Sequence, residues 1–227
     1  MISELVKHIK DVHSISVKEG NLLYKLAKQS DGAIVEIGSW KGYSTIWLAK
    51  GSLAGNKNKV YAIDPHTGAA IHKQMYGTVD TFGDFIKNIK DLEVDSIVTP
   101  LRMTSENAVK EWKDINISLL WIDGDHMLPD KDLEMWFPYV KYGGVIALHD
   151  TTTWEVPNRV AMGMYKSEYF TDIKRVGSIT YAKKVHWITV QSSFNNVRAL
   201  FNRKIYQALL PSYNLIMTIG AKILGRA

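Results

Sequence analysis

Apolar and polar positions along the chain alternate between a helical and a strand period. Apolar residues recur at helical spacing over 2–12 and 17–29, where Leu22, Leu23, Leu26 and Ala27 share one face, so both stretches predict amphipathic helices. Residues 33–37 form a short apolar run ended by Gly38, the mark of a buried strand stopped by a turn. The pattern then predicts a helix over 43–50, a strand over 59–63, a helix over 82–92 and a strand over 96–99. A helix follows over 104–112, with Thr104 as N-cap and Asn107 three residues on. Residues 117–122 are the most apolar strand and predict a central place in a sheet. A helix over 129–140 opens on Pro129, and a strand over 145–148 follows the Gly143–Gly144 turn. Later, 173–182 and 185–191 are separated only by Lys183–Lys184, which suits an antiparallel pair at a sheet edge. This alternation predicts an α/β fold, doubly wound, with a mostly parallel sheet, an antiparallel edge strand, and N-terminal and C-terminal helices. The expected organisation is helices over 1–30, a central domain over 31–191 and amphipathic helices over 192–227.

Composition narrows the chemistry. The 227 residues include no cysteine, which removes disulfides, thiolate metal sites and cysteine nucleophiles. No run reaches the roughly 18 apolar residues of a membrane span, and the first ten residues do not read as a signal peptide. A cytoplasmic location is expected. Charge is uneven: residues 1–172 hold 23 acids and 19 Lys/Arg, a net of −4, while 173–227 hold 9 Lys/Arg and no acid, so the total of +5 comes from a basic tail.

In an open α/β sheet, ligands bind beyond the C-terminal strand ends. The first end reads Glu36-Ile-Gly38-Ser39-Trp-Lys-Gly42-Tyr43-Ser44, where glycines allow a tight turn and close approach of a ligand to the main chain. It lacks both the dinucleotide fingerprint and the phosphate loop. Asp64 ends the second strand, where a carboxylate can accept both ribose hydroxyls; as a plainer alternative it caps a turn. At the third end, Met103 could pack on an aromatic base while Thr104 or Ser105 bonds its edge, unless they simply start a helix. The fourth and fifth ends carry Asp123-Gly-Asp125-His126 and His149-Asp150. Neighbouring parallel strands would bring Asp123 and Asp150 to one divalent cation such as Mg²⁺ or Mn²⁺, with His149 as a further candidate ligand. His126 would lie beside it, placed to take a proton from a hydroxyl. The bland alternative is that these acids cap helices and anchor loops. The long stretch 66–81 could close over the site, or be a plain surface loop.

The segments Val35–Ser44, Val60–Gly68, Thr81–Asn88, Ile122–His126 and Gly143–Asp150 resemble those of class I S-adenosylmethionine-dependent methyltransferases. Within that Rossmann-like group they are similar to macrocin-type sugar O-methyltransferases and cephalosporin-hydroxylase-like proteins, over roughly residues 30–190. The resemblance implies that Glu36, Gly38 and Gly42 shape a methionine pocket and that Asp64 holds the ribose. It implies metal ligation by Asp123 and Asp150 and a general base at His126. In one respect the chain departs from those enzymes: they carry an acid where it has His149, which leaves a metal-independent enzyme open, with His126 or His149 as base. The implied reaction is transfer of a sulfonium methyl to a hydroxyl of a small-molecule or glycan acceptor. A phenolic acceptor, or a non-catalytic partner subunit, are the alternatives.

The basic tail carries two apolar stripes, Phe194, Val197, Phe201, Ile205 and Leu209, then Leu215, Ile216, Ile219, Ile223 and Leu224. Such stripes dock on the domain, form a homo-oligomer, or lie on an anionic membrane at the inner face. Docking or oligomerisation is the plainer expectation. Nucleic acid is disfavoured, since the Asn/Asp-Pro-Pro-aromatic motif used on base amines is absent.

Overall fold

The computed structural model describes residues 2–9, 15–69, 73–74, 77–113 and 115–205. In chain order it contains α1 (Ile2–Leu5), α2 (Val17–Gln29), β1 (Ala33–Ile37), α3 (Tyr43–Leu53), β2 (Val60–Ile63), α4 (Phe82–Asp91), β3 (Val98–Leu101) and α5 (Ser105–Glu111). The second half contains β4 (Ile117–Ile122), α6 (Pro129–Trp136), β5 (Val140–Leu148), α7 (Glu155–Lys166), β6 (Phe170–Val176) and β7 (Ile179–Lys184), followed by a helix over 190–205, α8. The strands form one sheet in the order β3-β2-β1-β4-β5-β7-β6. Strands β1 to β5 pair in parallel, and β7 runs antiparallel between β5 and β6.

The doubly wound architecture follows from the side-chain alternation of the central strands. Every residue of β1 and β4 is buried. Ile34, Leu119 and Trp121 enter one core with Leu23 and Trp47, while Val35, Leu120 and Ile122 enter the other with Trp136 and Tyr165. A strand covered on both faces must be mostly apolar, and these runs are, with Glu36 and Ser118 the polar exceptions, each hydrogen-bonded. Gly20 sets the spacing of α2 on α3, because a Cβ there would lie 2.4 Å from the Trp47 ring.

Several expected boundaries shift, for local reasons. The single helix expected over 2–12 is α1 followed by a 3₁₀ turn over Lys7–Ile9, and residues 10–14 lie outside the described residues. Strand β3 falls two residues later than expected and contains Pro100, which an edge strand tolerates. Helix α6 ends at Trp136 and gives way to a 3₁₀ turn over Phe137–Tyr139 containing Pro138. Strand β5 starts earlier, because Val140 pairs with Ile117 before the glycines interrupt the register. The antiparallel pair stands at the expected edge but turns at Gly177, with φ +60°, so Lys183 and Lys184 belong to β7 and 185–191 form no strand. Helix α7 has no counterpart among the predicted elements. No helix among the described residues is long and apolar enough to cross a membrane.

Candidate active site

The sheet register places the strand ends in one row. Ile37 of β1 pairs with Ile63 and Ile122; Ile63 pairs with Leu101, Ile122 with Leu148, and Leu148 with Thr180. The residues that follow β1, β2, β4 and β5, namely Gly38, Asp64, Asp123 and His149, therefore share one rim, and the Gly177–Ser178 turn of the hairpin joins it. They line one cleft of about 770 Å³.

At the first strand end the backbone must turn sharply under the cleft. Gly38 has φ +88°, and a Cβ there would lie 2.2 Å from the Asp123 carbonyl oxygen. No other residue fits that contact. Glu36 lies behind the wall, fully buried, and accepts hydrogen bonds of 2.5 Å from Ser44 Oγ and from Thr45 Oγ1. Burial pushes its carboxyl up to about 8, against the two hydroxyls that favour the charged form. Glu36 thus braces the start of α3 from within, while Tyr43 and Ser44 of that helix face the cleft. Gly42, with φ +89°, closes the turn by donating to the Ser39 carbonyl at 2.7 Å. Ser39 Oγ is buried on the cleft wall without a hydrogen-bond partner.

Asp64 ties two loops together. Its Oδ2 accepts the Trp40 N–H at 2.8 Å and its Oδ1 accepts the His66 N–H at 2.6 Å. The base of the loop over 66–81 is pinned: His66 Nδ1 meets Thr81 Oγ1 at 2.9 Å, and the Thr81 N–H donates to the His66 carbonyl. Burial holds the His66 ring below its ordinary value, in its neutral form. His72, Met75 and Tyr76 of that loop lie outside the described residues. At the third end, Thr104 caps α5 through the Asn107 N–H, and Ser105 Oγ accepts the Trp136 indole N–H at 2.8 Å. Both residues line the cleft, whereas Met103 packs on the core beneath it.

The fourth and fifth ends meet in a polar cluster. His149 Nδ1 lies 2.8 Å from Asp123 Oδ1 and 3.5 Å from Asp150 Oδ2. His126 Nε2 lies 2.8 Å from Asp150 Oδ2, and its ring stacks on Trp154 with centroids 4.4 Å apart. Burial disfavours a charged His149, but Asp123, then Asp150 and Glu19, outweigh it and push the imidazole up to about 9. Burial raises the Asp123 carboxyl, opposed by the His149 charge and hydrogen bond. Asp150 stays below its ordinary value: burial would raise it, and the His126 bond and the two imidazoles more than offset that. Ligand atoms of Asp123, His126 and Asp150 lie within 4.8 Å of one another, so the nitrogen in that candidate cation set comes from His126. His149 instead holds Asp123 from the side.

Glu19, Asp132 and Trp154 also line the cleft from outside the motif segments. Glu19, on α2, accepts the Ser178 N–H at 2.7 Å and Ser178 Oγ at 2.8 Å, and stands 3.8 Å from His149 Nε2. Burial opposes its charge, but hydrogen bonds from Ser16 and Ser178 hold the carboxyl below its ordinary value. The Ser16-x-x-Glu19 capping pattern is legible in the sequence; the contact with Ser178 is not. Asp132, on α6, is pushed up to about 6, chiefly by burial. Trp154 precedes α7 and was hidden with it.

A family model described as a methyltransferase domain matches residues 35–151, about half of the chain. A curated relative, Uncharacterized protein y4gI of Sinorhizobium fredii (strain NBRC 101917 / NGR234), is 26% identical over 148 residues, which make up 63% of this chain and 16% of that protein. The chain therefore matches less than a fifth of that relative's length. Among solved structures, the O-methyltransferase NovP superposes with a TM-score of 0.67 at 17% identity, covering 78% of this chain and 84% of that one. Cofactor-bound Rv0187 from MTB gives 0.61 at 18% identity, over 81% and 87% of the two chains. The O-methyltransferase from Bacillus cereus, in complex with SAH, gives 0.59 at 17% identity, over 81% and 88%. At such identities the structures speak for the fold, and the matched sequence model for the family. The chain belongs to this methyltransferase-domain family and shares its fold with the solved O-methyltransferases.

Proposed function

We propose that the protein methylates a hydroxyl oxygen of a sugar or sugar-containing small molecule, with His126 as the general base. The observation that carries this reading is the pair His126–Asp150, 2.8 Å apart at the cleft wall, with Trp154 stacked on the imidazole. A sugar hydroxyl is a very weak acid and needs a base within hydrogen-bond reach. If Nε2–H is given to Asp150, Nδ1 is left as the basic nitrogen, and the carboxylate steadies the imidazolium that forms when the proton arrives. The exposed part of Trp154 offers an apolar face to a ring beside that base.

The residues fit the cofactor. S-adenosylmethionine supplies an electrophilic sulfonium methyl for in-line displacement. Ser39 Oγ is a buried donor with no partner, and Gly38 lets the β1 turn pack directly against the Asp123 backbone on the cleft wall. Asp64 would accept the ribose hydroxyls, since each of its oxygens has already taken only one N–H and retains a second lone pair. Thr104, Ser105 and Asp132 would face the base, and Tyr43 and Ser44 the methionine end.

A second reading is favoured by the 4.8 Å span of Asp123, His126 and Asp150. Two carboxylates and an imidazole suit Mg²⁺ or Mn²⁺, which would lower the pKa of a hydroxyl bound to it. His149 weighs against strong binding, because its positive charge already stands among Asp123, Asp150 and Glu19. Transfer of labelled methyl to sugar and phenolic acceptors, with and without chelator, separates the readings. Chelator-resistant transfer to a sugar supports His126 as base; chelator-sensitive transfer supports the cation; transfer to phenols alone overturns the sugar acceptor.

A further inference from the structure

Helix α8 presents its apolar stripe away from the body. Its inward contacts are made by other residues: Asn196 Nδ2 donates to the Phe170 carbonyl at 2.8 Å, Ala199 and Leu200 pack on the core, and Arg203 donates to Thr180 Oγ1 at 2.9 Å and to Asn158 Oδ1 at 3.0 Å. Arg203 also donates to the Thr151 carbonyl. These bonds fix the rotation of the helix. Val190, Phe194, Val197 and Phe201 are left 90%, 70%, 60% and 63% exposed, and Trp187 just before the helix is 74% exposed. The docking expected for this stripe is therefore made by the opposite face. A row of large apolar side chains in water marks a surface with a partner.

We propose that this face of α8 binds a lipid bilayer with anionic headgroups. The charge distribution selects that partner. From residue 173 onward the chain has nine Lys/Arg and no Asp or Glu, and Arg198 and Lys204 are exposed on the same helix as the apolar row. A second copy pressed on this face would bring two such basic segments together, with no acid on either side to offset them. An anionic bilayer takes the apolar row into its acyl boundary and pairs the flanking cations with headgroups. Trp187 stands where indole rings partition well, at the interface between headgroups and acyl chains.

The test is co-sedimentation of the full chain with phosphatidylglycerol-containing vesicles and with phosphatidylcholine vesicles, at low and high salt. Binding should be restricted to the anionic vesicles and fall with salt. Phe194→Glu/Phe201→Glu should lower the bound fraction by roughly tenfold or more without shifting thermal unfolding, because both side chains already face water. Arg198→Glu/Lys204→Glu should remove most of the salt-sensitive binding. The proposal is overturned by equal partition into both lipids, by unaltered binding of the Phe194/Phe201 variant, or by a lipid-free dimer that the same variant dissolves.

Discussion

His149 lies with Nδ1 2.8 Å from Asp123 Oδ1, and that contact puts a positive charge where three carboxylates converge. Asp123 and Asp150 come from adjacent strand ends, and Glu19 from the helix preceding the sheet. Without the imidazolium the cluster would be three like charges in a largely buried site, which is costly to maintain.

Replacing this group with an acid should expose its role. His149→Asp is expected to lower stability by about 3–5 kcal/mol, the range for breaking a buried ion pair. It should also make the protein bind Mn²⁺ or Mg²⁺ more tightly, so that added cation raises its melting temperature more than that of the wild type. Thermal unfolding with and without the ion measures both. An equal response of the two proteins would argue against His149 as the internal counter-charge.

Glu36 makes stability depend on pH. Its carboxyl is raised from 4.5 to about 8 in the folded chain, so between those values the folded state holds a proton that the unfolded state releases. This contribution is complete below about pH 4.5 and is lost as pH rises through about 8. Glu36→Gln copies the neutral form and cannot ionise. Urea unfolding should therefore show the variant gaining on the wild type as pH rises from about 5 to about 9; a constant difference would mean that Glu36 is ionised throughout.

Asp64→Ala removes the acceptor for the Trp40 and His66 N–H groups as well as the proposed ribose contact.

 Cofactor affinity should fall by about 1–3 kcal/mol through lost charge-assisted hydrogen bonds. Calorimetry with S-adenosylhomocysteine measures this, and unchanged affinity would remove Asp64 from the site.

His126→Ala should cut turnover by roughly 10²–10⁴ while leaving cofactor affinity nearly intact. Asp150→Asn should slow the enzyme less, since it weakens the orientation of the imidazole without removing it. If methyl transfer survives the loss of His126, the base lies elsewhere, with His149 the nearest other imidazole in the cleft.

What was legible in the sequence was local. The runs over 33–37 and 117–122 are apolar except for Glu36 and Ser118 because both sheet faces are covered, and their boundaries match the structure residue for residue. The rim residues were legible because a parallel sheet sends its strand ends to one side. Helix α7 escaped because Pro157 sits inside its first turn and interrupts the helical pattern. Phe194, Val197, Phe201 and Ile205 of the first stripe lie exposed on α8, while Leu209 and the second stripe lie outside the described residues; spacing alone does not say which face meets the body, and Asn196 and Arg203 decide that through partners far away in the chain. Glu19 was missed for the same reason, its partner Ser178 lying 159 residues on.

That last contact alters what counts as the unit of folding. The Glu19 carboxylate occupies the space left by Gly177, where a Cβ would come within 2.4 Å of Glu19 Oε1. A fragment starting at residue 31 would keep all seven strands yet open a hole beside His149, with the Ser178 amide turned toward solvent. Helix α2 is thus a wall of the cleft, and trimming the chain to its recognisable methyltransferase segment would leave that chamber breached.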